Sequence, residues 1–147
     1  MPMNPHPQTL GVFAPIDHVV ISFPTMQGME GAAAELTRQG FASEALIRYT
    51  PEQMKAQADV DIAGASPLAN LGQELNLVRA HRELADQGYS FLVVHAPKAE
   101  QTAAVQTVAR SFHAERAQKY GSFVIEELIA PADEDEQVFE SPARGLD

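Results

Sequence analysis

The chain of 147 residues contains no cysteine and no tryptophan, and no stretch of 18 consecutive residues is apolar. Without cysteine, a disulfide framework, a thiolate metal site and a cysteine nucleophile are excluded. The N-terminus has no basic start and no apolar run of signal length, and this pattern predicts neither a signal segment nor a membrane span. We therefore expect a cytoplasmic protein that makes no use of a membrane.

Positive charge is also scarce, because ten Lys and Arg oppose twenty Asp and Glu for a formal net charge of −10. No basic patch is available to follow a phosphate backbone, so we expect no nucleic-acid partner. About half of the negative excess lies in residues 131–147, an acidic C-terminal tail. Val138 and Phe139 lie between its acidic clusters, as in short segments that fold on a protein partner. The composition itself favours the plainer interpretation, a solubilising tail.

What the sequence does contain is a strand–helix–strand pattern near the start of the chain. The residues "HVVISF" (18–23) predict a strand, and Pro24 closes it. Thr25 can cap a helix over 25–39, which Gly40 would end. The residues "ALIRYT" (45–50) predict the next strand.

A second unit of the same layout follows at the other end of the chain. Residues 91–95, within "SFLVVHAP", predict a strand, a helix is expected over about 98–119, and "SFVIEELI" (122–129) predicts the last strand. Two such units side by side predict an α+β fold of the ferredoxin-like sandwich type, with helices on one face of a mostly antiparallel sheet. We expect a Pro-rich arm over 1–16 and a single domain over 17–130.

Between the two units lies a helical insert of about residues 51–88. Thr50, Pro51 and Gln53 have the spacing of a capped helix start, and the residues "DIAGAS" (61–66) are expected to break that helix. A longer helix should follow, with an apolar stripe of Leu68, Leu71, Leu75 and Val78. Such a stripe must cover either the open face of the sheet or a second subunit, and we expect a homo-oligomer.

The order of these elements, with "LTRQGF" at the end of the first helix and "FLVVHAP" opening the second unit, resembles the small bacterial general-stress (heat-induced) protein domains. Those domains carry a Gly/Ala-rich hairpin in the middle, and the polar helix around 73–82 departs from that pattern. The resemblance covers roughly residues 17–130. It implies a stress-associated, non-enzymatic protein, and it assigns no catalytic residue.

Two histidines lie at the ends of predicted strands and form the candidate site. If the first and third strands are adjacent and antiparallel, His18 and His95 lie at the same edge of the sheet, together with Asp17. Two imidazoles and a carboxylate could then bind Zn²⁺ or another divalent ion. If the two strands are parallel, the histidines lie about 17–20 Å apart. The favoured interpretation is the plain one, in which strand-end histidines bind loop carbonyls or water.

Other motifs contribute little to a functional prediction. His113 lies far along the last predicted helix and should be near the opposite edge of the sheet, and His81 borders the apolar stripe as a boundary or interface residue. Neither a nucleophile elbow nor a phosphate-binding glycine loop occurs, so no catalytic residue and no cofactor is predicted. Glu126 and Glu127 fall on opposite faces of a strand and cannot act as a pair.

The sequence thus predicts a non-enzymatic cytosolic bacterial protein, stress-associated or regulatory, that acts through self-association or protein partners. The first alternative is a small-molecule or metal-binding domain that uses His18 and His95. The second alternative is a small enzyme of the dimeric α+β barrel type, with its pocket between helices and sheet. Both alternatives require a pocket with converging polar groups.

Overall fold

A computed structural model describes residues 15–64, 73–122 and 124–131 of the chain. Within them, four α-helices and one five-stranded antiparallel sheet form an α+β fold. The strands are β1 (His18–Phe23), β2 (Leu46–Tyr49), β3 (Ser90–His95), β4 (Arg116–Tyr120) and β5 (Ile125–Ile129). The helices are α1 (Met26–Arg38), α2 (Pro51–Gly64), α3 (Gln73–Asp86) and α4 (Ala99–Ser111), and a short 3₁₀ turn (Ser43–Ala45) precedes β2.

The strand order across the sheet is β2-β3-β1-β4-β5. Strand β1 lies in the centre, antiparallel to β3 on one side and to β4 on the other. This is the antiparallel alternative for the first and third predicted strands. The sheet has a fifth strand at its edge, so its order is not strictly that of a four-stranded ferredoxin-like sandwich.

The prediction of one long helix over 98–119 was wrong, because α4 ends at Ser111 and β4 follows it. His113 has a φ of 66°, in the left-handed region that ends a helix. Two residues later the Glu115 N–H donates to the Ser22 carbonyl at 2.8 Å and starts the pairing with β1. The last strand also begins later than predicted, at Ile125.

Alternation along the strands divides the apolar side chains between two faces of the sheet. Val19, Ile21 and Phe23 pack with α1 and α4 on one face. Val20 faces the other way, into a second core with Phe91 and Val93 that α2 and α3 cover. The helical insert therefore covers the second face of the sheet, for which the sequence allowed either the insert or a second subunit. No second chain is required to cover this face.

The starts of α1 and α2 follow local capping chemistry. Thr25 accepts the Gly28 N–H at 3.0 Å and begins α1, and Gly40 follows α1 at a φ of 109°. At α2 the Gln53 N–H donates to the Thr50 hydroxyl at 3.1 Å, and the Thr50 N–H donates to the Gln53 side-chain oxygen at 2.9 Å. The break expected over 61–66 was misplaced at its start, since α2 continues through Gly64.

Several predictions fall on residues that the structure does not describe. Leu68 and Leu71 of the apolar stripe, most of the N-terminal arm and the tail residues Val138 and Phe139 all lie outside the described ranges. The described part of the stripe behaves as predicted, because Leu75, Leu77 and Val78 are buried.

Candidate functional site

His18 and His95 are direct partners across strands β1 and β3. The Ala96 N–H donates to the Asp17 carbonyl at 2.9 Å, so the two histidines form the non-hydrogen-bonded kind of pair, in which side chains come closest. Their ring centroids are 4.8 Å apart and their ring planes are tilted by 51°. Of the two alternatives left open by the sequence, the antiparallel one holds, and both histidines lie at one edge of the sheet.

The chain before β1 determines how His18 is oriented. Asp17 has a φ of 65°. Its backbone is bonded to both neighbouring strand ends, because its N–H donates to the Tyr120 carbonyl at 2.7 Å and its carbonyl accepts the Ala96 N–H. The His18 N–H donates to the Pro15 carbonyl at 3.0 Å, and its Nδ1 lies 2.8 Å from the Ile16 carbonyl oxygen. A carbonyl can only accept, so Nδ1 carries the proton and the lone pair of the neutral ring is on Nε2.

The electrostatics of His18 favour a neutral ring. Partial burial lowers its pKa below the ordinary value, and the nearby His95 lowers it further. The Ile16 carbonyl and the Asp17 carboxylate act in the opposite direction and raise that pKa. The net shift is downward, so at neutral pH His18 presents a neutral imidazole with an available Nε2.

The third predicted ligand, Asp17, is exposed beside the pair. Across the described ranges, no group of three or more His, Cys, Asp or Glu side chains is arranged to hold a metal ion. The structure thus brings two of the three predicted ligands, His18 and His95, into a pair and does not assemble the full set.

His95 also lines an open cleft of about 310 Å³ on its β2 side. The cleft lies between the last residues of α1, the first turn of α4 and the 3₁₀ turn before β2. Its other lining residues are Gln39, Gly40, Phe41, Ala42, Ala45 and Gln101. Of the two glutamines that line the cleft, Gln39 donates through its amide nitrogen to Glu35 at 2.8 Å. Gln101 already accepts the Lys98 N–H at 2.9 Å through its side-chain oxygen, so its amide nitrogen is the group left for a ligand.

Two further residues, Arg48 and His113, lie away from the pair. Arg48 pairs across the sheet with Leu92 rather than with His95, and it binds Glu30 of α1 at 3.0 Å. His113 follows α4 near the far end of β1, the opposite edge as predicted, although in a turn rather than in a helix.

His81 is a correction, because it is buried rather than at a boundary. Its Nε2 lies 3.3 Å from the side-chain oxygen of buried Gln118, and its ring packs edge-on against Phe91 at 5.6 Å. Burial lowers the pKa of His81 to about 4, the hydrogen bond to Gln118 opposes this shift, and the charge of Arg116 adds to it. Sequence reasoning missed this contact because "RAQKY" was assigned to a helix and Gln118 therefore had no predicted partner.

The space around His81 is too small for a ligand. The cavity there has no room for a water molecule, and its lining residues are Met54, Gln57, Ala58, Asp61, Val78 and His81. Asp61 is buried and accepts a hydrogen bond from Gln57 at 2.9 Å. The cavity around His81 therefore cannot hold a substrate.

Two further observations bear on the class of the protein. No helix in the described ranges is long and apolar enough to cross a membrane. Comparisons of the chain with protein-family models, with curated protein sequences and with solved structures find no match, so the candidate site rests on its own geometry.

Proposed function

We propose that the protein is a non-enzymatic, cytosolic binding protein that takes a divalent transition-metal ion between His18 and His95. The observation that carries this proposal is the cross-strand contact of the two imidazole rings, 4.8 Å between centroids. The two rings belong to adjacent central strands, so their spacing is held by the backbone pairing of β1 and β3.

The spacing of the rings suits a shared ion. When two imidazole nitrogens bind the same tetrahedral ion, each at a nitrogen–metal distance of about 2.0–2.1 Å, the centroids of the two rings lie about 5 Å apart. The observed centroid distance of 4.8 Å is close to that value. The hydrogen bond from His18 Nδ1 to the Ile16 carbonyl adds the outer-shell contact that fixes the tautomer of metal-binding histidines.

The chemistry of the two donor nitrogens limits which ions the site would bind. Neutral imidazole binds Zn²⁺, Cu²⁺ and Ni²⁺ well, whereas Mg²⁺ and Ca²⁺ prefer oxygen ligands. The pair itself supplies two nitrogen ligands, and other groups must complete the shell.

Self-association through the sheet face or the middle helix, the leading expectation from the sequence, stays a prediction, but the sheet face is not open. Helices α2 and α3 of the same chain cover that face, and the described stripe residues of α3, Leu75 and Val78, are buried in the core between α3 and the sheet. The stress-associated role implied by the family resemblance stays a prediction. The ferredoxin-like description is likewise proposed for the first four strands, with support from their order β2-β3-β1-β4.

Isothermal titration of the metal-free chain, without a histidine tag, tests the metal site with Zn²⁺, Cu²⁺ and Ni²⁺. His18→Ala and His95→Ala should each weaken binding by more than about 100-fold, because loss of an outer-shell partner alone costs about 10–100-fold. His113→Asn is the matched control, since it removes an exposed histidine and leaves a residue that tolerates the positive φ. Binding that is equally strong in all three variants would place the ion elsewhere and refute the proposal.

A further inference from the structure

We propose that the ion bound by His18 and His95 joins two copies of this chain, each contributing its histidine pair to a four-imidazole site. This inference rests on the proposed function, because it concerns how the same ion completes its coordination. It adds the partner, a second copy of the chain, and makes assembly depend on metal.

The first argument is the number of ligands. Zn²⁺ in a stable protein site is almost always bound by four ligands in a tetrahedron. One chain offers two imidazoles, and no third His, Asp or Glu of the described ranges is arranged with them. A second His18–His95 pair supplies the two missing nitrogen ligands.

The second argument is the position of the pair. His95 is the last residue of β3 and is exposed, and His18 is the first residue of β1 and is half-buried. An ion held between them would therefore lie at the end of the sheet and not inside the core. A second chain can approach an ion there along the strand direction.

The third argument is symmetry. A two-fold axis through the ion makes the two pairs equivalent, so the assembly closes at two copies and leaves no open end. In each chain the ion and the two donor nitrogens define a plane. The planes of the two chains can cross at the angle that tetrahedral coordination requires.

The fourth argument is charge. Each chain has a formal net charge of −10, so two metal-free copies repel each other. The sheet face that the sequence left open is covered by helices of the same chain. We therefore expect a monomer without metal and a dimer only with it.

The experiment measures mass and metal content together on the full chain without a tag. Light scattering after size exclusion should give 15.9 kDa in EDTA and about twice that mass with Zn²⁺. The dimer should reach its maximum at one Zn²⁺ per two chains, and native mass spectrometry should find that stoichiometry. His18→Ala and His95→Ala should remain monomeric, whereas His113→Asn should dimerise like the wild type.

The outcomes separate this inference from the function on which it rests. A monomer with one Zn²⁺ bound through the two histidines would overturn the bridged pair and leave the metal site in place. No Zn²⁺ bound would overturn the zinc-bridged dimer, and no binding of Zn²⁺, Cu²⁺ or Ni²⁺ would overturn the metal site as well. A dimer that persists in EDTA, or that forms equally in the two alanine variants, would overturn the bridge, because another surface would then hold the copies together. Far-UV circular dichroism of each variant verifies that the chain is folded.

Discussion

His81 of α3 and Gln118 of β4 are in contact across the buried layer between the helical hairpin and the sheet, with His81 Nε2 3.3 Å from the Gln118 side-chain oxygen. Both side chains are almost fully buried. On the opposite sheet face the core around α1 and α4 is apolar. The two faces of one sheet thus differ in chemistry, and the first two predictions follow from that difference.

Acid should destabilise the fold through His81. Its pKa is about 4 in the folded protein and 6.5 in the unfolded chain, so between these values only the unfolded state binds the proton. The free energy of unfolding should therefore fall as pH drops from 6.5 to 4, by about 3 kcal/mol in all. Arg116 of β4 faces His81 and opposes its protonation, and buried Asp61 of α2 lines the same cavity.

Urea unfolding at several pH values measures this slope, and His81→Gln is the comparison. The variant should lose most of the slope between pH 6.5 and pH 4. Curves of equal slope for wild type and variant would show that His81 does not control acid stability.

Gln118→Glu should raise the pKa of His81. A carboxylate at the position of the amide favours the charged imidazolium, and the Gln118 hydrogen bond already acts in that direction. An NMR titration of the His81 ring protons should show a midpoint above about 4, with Gln118→Met as the variant that removes the acceptor. A midpoint that is lower in the Glu variant than in the wild type would contradict this contact.

Two glycines in helices should respond oppositely to alanine. At Gly31 of α1 a Cβ atom would lie 2.6 Å from the Phe112 ring, so the ring must move. Such overpacking lowers the free energy of unfolding by about 1–3 kcal/mol. This loss exceeds the gain of roughly 1 kcal/mol from the higher helix propensity of alanine. At Gly64 of α2 no atom of the residues that the structure describes lies within 4 Å of the added atom.

We therefore expect Gly31→Ala to be less stable than Gly64→Ala by about 2 kcal/mol, as measured by the midpoint of chemical unfolding. Equal midpoints would mean that Phe112 does not pack against α1 as described.

Thr50→Ala should weaken the start of α2. The variant loses the acceptor for the Gln53 N–H, a contact of 3.1 Å, and an N-cap of this kind contributes about 1 kcal/mol. Thr50→Ser keeps the hydroxyl and should stay close to wild type. Thermal unfolding followed by circular dichroism distinguishes the two, and equal losses in both variants would assign the effect to the lost methyl group.

Asp17→Asn tests whether the predicted third ligand belongs to the metal site. Asn tolerates the positive φ of this position, so the backbone that holds His18 is kept. An exposed carboxylate beside the ion contributes about 0.2–1 kcal/mol, and Zn²⁺ affinity should therefore fall less than about fivefold. A loss as large as that of His95→Ala, in the same calorimetric titration, would make Asp17 a ligand.

Much of the local structure could be predicted from the sequence because its causes are local. Thr25 and Thr50 cap helices through bonds to residues three positions away, and Gly40 takes a backbone conformation that other residues avoid. The strand β4 could not be predicted in this way. Its residues are mostly polar or small, and Gln118 is buried there only because β1 and α3 pack around it.

By itself the sequence determined the α+β class, most helix starts, the strands that alternate apolar faces, and the placement of both histidines at strand ends. These follow from capping, periodicity and turn residues, which act over a few positions. Only the tertiary structure decided that β1 and β3 pair so that His18 faces His95, that a fifth strand joins the sheet, and that His81 is buried against Gln118. His18 and His95 are about 80 residues apart in the chain and His81 and Gln118 about 40, and the energies of these two contacts come from burial that no local pattern records.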